Sequence, residues 1–442
     1  MLYTNKDLKK LIIPLVFEQL LAILVGMVDT IMIAGVGEAA VSGVSLVDTI
    51  NILVINLTAS LATGGAVVAG HFLGQKDGKN AGRVAWQLVL FSIWMSAVVT
   101  IVFLAAHKPL LQVIFGQVEP AVMESAATYL IITSISICPL AVYNSCAALF
   151  RAMNDSRTTM LIAIAMNLIN VAGNAILIYG AKIGVAGAAI ATTLSRTAAA
   201  VIIMVLFFHT DRVISFKGQA TWRMDFKLIK KILYIGVPNG LENSLFQLGK
   251  ILLLSLISTF GTCSIAANAV CNTLAGFNIL PGQAINMALL SVVSVCVGAG
   301  DYGQARYYTR KLVRMAMAAL AGISGILIVF APLIMKIYHL TPQTEELAIQ
   351  VIRWHATLAI FFWVPSFTVP NTLRAAGDVV WTMLIAIASM WTFRIVFAYI
   401  FSNYFDGGLI GVWIAMTIDW AFRSLCYCLR YRGHKWEQFA ET

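Results

Sequence analysis

Few residues in this chain are equipped for chemistry, and those few lie among apolar ones. Asp29, Asn170, Asn174 and Thr192 offer one carboxylate, two amide oxygens and a hydroxyl. These are hard oxygen donors, suited to a small cation or a proton relay. Asn170 and Asn174 are four apart and so share one helix face. A second reading is open: Asp29 stays neutral and hydrogen-bonds between packed helices. The six histidines are scattered without metal-ligand spacing, and the seven cysteines form no CxxC pair. No serine–histidine–acid cluster or phosphate-binding loop is present, so the chain is not expected to be an enzyme or to hydrolyse ATP. No cofactor is implied beyond a coupling ion, Na⁺ or H⁺.

The elements that must position these residues are membrane helices. Of 442 residues, 60% are hydrophobic and 11% charged, against about 45–50% and about 25% in soluble domains. Soluble enzyme, disordered chain and disulfide-rich secreted module are excluded. A spanning helix uses about 20 mostly apolar residues, and the apolar runs predict twelve: 11–34, 43–70, 85–106, 126–150, 158–180, 184–208, 232–258, 265–298, 308–332, 346–371, 378–402 and 408–430. At about 1.5 Å per residue, Asp29, Asn174, Thr192 and Asn170 fall about 8, 9, 12 and 15 Å below the outer helix ends. They occupy one stratum of the bilayer.

The net charge of +10 suggests no nucleic acid, because the basic residues are dispersed through short loops. They set orientation instead. Twenty-two Lys and Arg fall on one side, from Lys6 to Lys435, while the opposite loops hold only Lys108, Lys182 and Lys336. Both termini are expected in the cytoplasm, with the bilayer as the principal partner.

The sequence repeats itself at an offset near 224. Pro14 pairs with Pro238, Glu18 with Glu242, and Gly37 with Gly261; the GQKD turn ending at Asp77 pairs with the GAGD turn ending at Asp301. Arg151–Asp155 pairs with Arg374–Asp378 at 223, and Met-Leu-Ile-Ala-Ile-Ala occurs at 160–165 and 383–388. The offset spans six helices, an even number, so the copies are parallel repeats, and transporters of this design bind substrate between halves. The division expected is an N-lobe at 1–208, a cytoplasmic linker at 209–231 and a C-lobe at 232–442. The mates differ at some positions: Asp29 pairs with Leu253, Asn170 with Arg394, and Ser195 with Asp419.

Charged residues inside the spans include Glu18, Asp29, Asp48, Arg196, Glu242, Lys250, Arg394 and Asp419. Each costs about 2.5–3.5 kcal/mol at mid-bilayer unless paired or wetted. Arg394 and Asp419, with Arg423 one turn on, read as a structural ion pair. Glu242 reads equally as scaffold, like its mate Glu18, or as a group handling substrate or proton. Asp48 and Arg196 are secondary candidates. By helix position alone, Gln19, Asn243, Asn278, Gln283 and Met287 are candidates for a substrate cavity between the halves.

The ordered motifs Pro14…Val28-Asp29-Thr30…Gly35-Val-Gly37, GQKD, Phe150-Arg-Ala-Met-Asn-Asp155 and Gly184-Val-Ala-Gly-Ala-Ala-Ile-Ala191, with GVPNGLE at 236–242, LRAAGD at 373–378 and GLIGVWIA at 408–415, resemble the multidrug and toxic compound extrusion (MATE) transporters. The resemblance covers essentially the whole chain. It implies an all-α, V-shaped integral membrane protein of twelve helices in two six-helix repeats. It further implies a monomer in the plasma (inner) membrane that exports amphipathic, often cationic drugs or metabolites in exchange for Na⁺ or H⁺. The family's first-helix acid matches Asp29, its fifth-helix asparagine Asn170, and its helix-bending proline Pro14. Two departures stand out: one branch carries an aspartate where this chain has Asn174, and another carries a seventh-helix glutamate where this chain has Phe246. The alternatives are a lipid-linked precursor flippase of the same superfamily and an exporter dedicated to one endogenous metabolite.

Overall fold

The computed structural model describes residues 2–116, 119–209 and 212–441. Residues 210 and 211 of the expected linker lie outside the described residues. The spans are α1 (Asn5–Ala34), α2 (Glu38–Gly74), α3 (Gly78–Phe115), α4, α5 (Ser156–Gly180), α6 (Gly184–His209), α7 (Phe226–Ser258), α8 (Thr262–Gly298), α9 (Tyr302–Lys336), α10 (Pro342–Ala375), α11 (Val379–Asn403) and α12 (Gly408–Arg432). Helix α4 consists of Pro120–Ile135 and Ile137–Ala152, bent by 48°. Counting that pair as one span gives the twelve expected, and no strand occurs among the described residues. Large apolar side chains face outward along the helices, among them Ile101, Leu168 and Val329 at 65, 65 and 66% exposure. Water would not tolerate so much exposed apolar surface, whereas lipid does.

Contacts divide the chain into two compact units. One is Asn5–Gly240; the other is residues 241–441 with residues 2–4, so the division falls inside α7. In the first unit, α2 packs against α3 and α4, and α5 packs between α1 and α6. In the second, α8, α9 and α10 pack together and α12 lies against α10 and α11.

Close backbone approach replaces the missing hydrophobic drive between helices in lipid. A Cβ on Gly64 of α2 would lie 2.5 Å from the Ile232 carbonyl oxygen of α7, and one on Gly43 would lie 2.8 Å from the backbone of α4.

The repeat is written into the backbone. Left-handed residues recur at the same offset, Lys76 with Gly300, Asn154 with Gly377, and Lys182 with Asp406. Only the second copy uses glycine at the first two positions, where it removes the Cβ penalty of that conformation. Asp77 and Asp301 cap α3 and α9 with near-identical geometry, their side chains accepting from Asn80 N at 3.0 Å and Gln304 N at 2.9 Å. Those backbone donors hold both half-buried carboxyls below the usual carboxylate range.

Pro14 lies well past the first turn of α1, so the Lys10 carbonyl loses its intrahelical donor. Ser156 supplies a replacement: its hydroxyl lies 3.1 Å from the Lys10 carbonyl oxygen and 2.6 Å from that of Leu11. In a bilayer a freed carbonyl must find such a partner, and α1 continues without a break. At the α4 bend the cause is similar. Pro139 offers no donor to the Ile135 carbonyl, and at the same bend the Ser136 hydroxyl accepts from Arg196 Nη1 at 2.8 Å.

Candidate functional site

Helices α1, α2, α4, α5 and α6 enclose a polar cavity of about 250 Å³ within the first unit. Asp29, Asn170, Asn174 and Thr192 all line it, together with Asp48, Tyr129, Ser195 and Arg196. The four residues picked out by depth and face are thus gathered in one place. Asn174 Nδ2 donates to Asp29 Oδ1 at 2.8 Å. The Asn170 amide satisfies both of its ends in one orientation, with Nδ2 donating to Asp29 Oδ1 at 2.7 Å and Oδ2 at 3.1 Å. Its oxygen then accepts from Thr192 Oγ1 at 3.2 Å.

The arrangement is chemically two-sided. As described, amide N–H groups surround and compensate an ionised carboxylate. Turned over, the same amides present oxygens to a cation. The buried Oδ1 of Asn174 has no hydrogen-bond donor in this arrangement, so its acceptor capacity is unused. Directly after Asn174, α5 widens into a π-helical stretch, Ala175–Gly180, a feature that recurs at functional sites. The cavity counts two carboxyl groups, Asp29 and Asp48, against one guanidinium, Arg196. The sequence made Asp48 and Arg196 secondary candidates and missed Tyr129; Asp48 and Tyr129 enter the cavity from α2 and α4, outside the α1–α5–α6 set. Position +224 from Asp48 is Asn272, so a search for acids unshared between repeats would have found it.

The other predicted residues are placed less centrally. Glu242 is held by Arg374, whose Nη2 donates to its two oxygens at 2.7 and 2.6 Å. Glu18 stands 3.6 Å from Arg151 and also accepts from Thr159 Oγ1 at 3.1 Å. These are equivalent ion pairs in the two repeats. Asp419 is fully buried, 3.0 Å from Arg394 Nε but poorly aligned for a hydrogen bond there, and accepts properly from Arg423 Nε at 2.9 Å. Asn278 is also fully buried and accepts from Ser324 Oγ at 3.0 Å, so it faces α9. Gln283 lines a second cavity, in the second unit, with Lys250 and Arg394. Gln19, Asn243 and Met287 are half-buried and line neither of these two cavities.

Twelve apolar spans in a repeated six-helix pattern, with polar cavities buried at membrane depth, define a multi-pass membrane protein of transporter architecture. The MatE family model matches residues 14–176 and again 238–400, and the chain belongs to that family. The two matches are themselves displaced by the repeat offset.

Among curated relatives, a probable multidrug resistance protein NorM of Thermotoga maritima is 27% identical over 99% of this chain and 94% of that protein. An uncharacterized transporter YisQ of Bacillus subtilis is 26% identical over 96% and 93%. Among solved structures, a MATE in the bent conformation superposes with a TM-score of 0.91 at 21% identity, covering 99% of this chain and 97% of that one. An outward-facing multidrug resistance MATE family transporter gives 0.89 at 21% identity, covering 97% and 96%.

Proposed function

We propose that this protein is a secondary antiporter that exports small amphipathic organic compounds from the cytoplasm, organic cations among them, in exchange for Na⁺ or H⁺. Export proceeds by alternating access of the two repeats, in the plasma membrane, with both termini in the cytoplasm and the monomer as the working unit. The observation that carries this reading is the cluster of Asp29, Asn170, Asn174 and Thr192 around one buried cavity, with Asn174 Oδ1 left without a donor. The relatives named as multidrug resistance proteins supply the cargo class.

In this reading Asp29 is the coupling carboxylate. When it is ionised and without a cation, Asn170 and Asn174 turn their N–H groups to it. A proton or Na⁺ arriving at Asp29 removes the need for those donors, and the amides can rotate to offer oxygen. That rotation changes how α5 is tied to α1 and α6, which links occupancy to helix position. Pro14 adds compliance to α1, because the bond it lacks inside the helix is replaced by a side-chain contact to Ser156.

The test is efflux of a fluorescent organic cation from proteoliposomes by the parental protein and by Asp29→Asn. The variant is expected to insert and fold yet show no gradient-driven efflux. Parental efflux rates in Asp29→Asn would overturn the coupling role.

A further inference from the structure

The second unit encloses its own cavity, of about 490 Å³, and it is the repeat counterpart of the first. Ten positions lining the first cavity reappear 224 residues later as lining positions of the second. The backbone plan is therefore shared, but the charges are exchanged. Both acids of the first cavity are lost, Asp29 becoming Leu253 and Asp48 becoming Asn272. Two neutral positions have become cations, Gly26 becoming Lys250 and Asn170 becoming Arg394. No acidic side chain lines the second cavity.

Positive charge gathers around Phe246, with Lys250 and Arg394 lining the cavity and Arg423 just behind them. Lys250 Nζ, Arg394 Cζ and Arg423 Cζ lie 5.1, 5.0 and 5.6 Å from the centre of the Phe246 ring. A single carboxylate, Asp419, serves both arginines, and the nearby Glu242 is engaged by Arg374. Lys250 has no ion-pair partner among the described residues and is exposed to the cavity. Four further aromatic rings line the cavity, Trp363, Phe367, Trp413 and Trp420.

Among these aromatic rings, polar groups are left without partners. His355 is 2% exposed, packed edge-on against Trp413 and Trp420, and neither ring nitrogen has a hydrogen-bond partner; Trp420 Nε1, also buried, has none. Trp420 Nε1 is a donor only, and a neutral imidazole carries one donor as well. Buried donors without acceptors are uncommon and call for one. An anionic headgroup matches the charge of Lys250 and Arg394, and the tryptophans suit a flat apolar body.

We propose that this cavity binds an organic anion carrying an aromatic ring, its acidic group near Lys250 and Arg394 and its ring against Trp413 and Trp420. This departs from the sequence expectation of a cationic cargo and stands apart from the coupling site in the first unit. It is a statement about binding and does not rest on transport.

The test is equilibrium binding to the purified full chain of 1-naphthalenesulfonate and of its cationic counterpart 1-naphthylmethylammonium, at matched ionic strength. The parental protein is expected to favour the sulfonate by about tenfold or more, since an added unit charge a few ångströms away in a low-dielectric site carries that much. Lys250→Glu, at an exposed position, is expected to abolish or invert that preference. Lys250→Met is expected to fall between. Equal affinity for the two probes in the parental protein, no detectable binding of the sulfonate, or an unchanged preference in Lys250→Glu would each overturn the proposal.

Discussion

Replacing Glu242 with glutamine would leave the Arg374 guanidinium without the counter-charge that its repeat mate Arg151 finds in Glu18. Removing one member of a buried pair costs about 3–5 kcal/mol, because the surviving charge is desolvated and unpaired. Here both side chains keep 12% exposure, and Arg374 Nη1 still donates to Asn371 Oδ1 at 3.1 Å. The cost is therefore placed at the lower end, about 3 kcal/mol, or about a hundredfold in the folded-to-unfolded ratio. Glu18→Gln should cost less, about 1–2 kcal/mol, since its pair is 3.6 Å long and Thr159 keeps a hydrogen bond to the glutamine oxygen. Unfolding of the purified protein by denaturant in mixed micelles measures both, and Glu242→Gln/Arg374→Gln should lose less than the two single variants summed. Glu242→Gln that is as stable as the parent but has lost export, or changed its ion dependence, would refute the scaffold reading and make Glu242 a group that handles cargo or proton.

Three further outcomes follow from the packing. Ser156→Ala removes the hydroxyl that stands in for the missing helical donor at the Lys10 carbonyl and should cost about 1–3 kcal/mol in the same unfolding assay, while adding Pro14→Ala should recover part by restoring the intrahelical bond. Gly64→Ala puts a Cβ 2.5 Å from the Ile232 carbonyl, and should lower folded yield in detergent chromatography with a stability loss of about 1–3 kcal/mol. The caps at Asp77 and Asp301 have folded pKa values below their unfolded ones, so their contribution is complete above about pH 4 and is lost as pH falls through the depressed values. Asp77→Asn/Asp301→Asn should accordingly flatten the acid limb of the stability–pH curve below about pH 4.

How far the sequence carried depended on how local the signal was. Spans were legible because about 20 apolar residues leave little room for error, and the structure returns the predicted starts at Gly184 and Gly408. The meeting of Asp29 with Asn170 and Asn174 was legible because depth and helix face are both arithmetic on residue number. What escaped was lateral. Arg374 was counted as a loop cation setting orientation, whereas it reaches Glu242 from the end of α10. The clue was present, since Glu18 and Arg151 repeat as Glu242 and Arg374. The fourth span was expected as a single run at 126–150, and its 48° bend falls at Ser136, where Pro139 withholds a donor and Arg196 arrives from α6. Charge inversion between the two cavities was half visible in the unmatched repeat positions. Recognising that those positions line cavities required coordinates.

The central claim, that the cavity around Asp29 couples cargo to an inward cation gradient, is tested most directly by measuring efflux under separately imposed Na⁺ and pH gradients. Parental protein and Asp29→Asn are compared in parallel proteoliposomes. The account predicts that one of the two gradients drives efflux by the parent and that neither drives it in the variant, with both proteins equally inserted. Efflux driven equally well in Asp29→Asn, or parental efflux indifferent to both gradients, would contradict it.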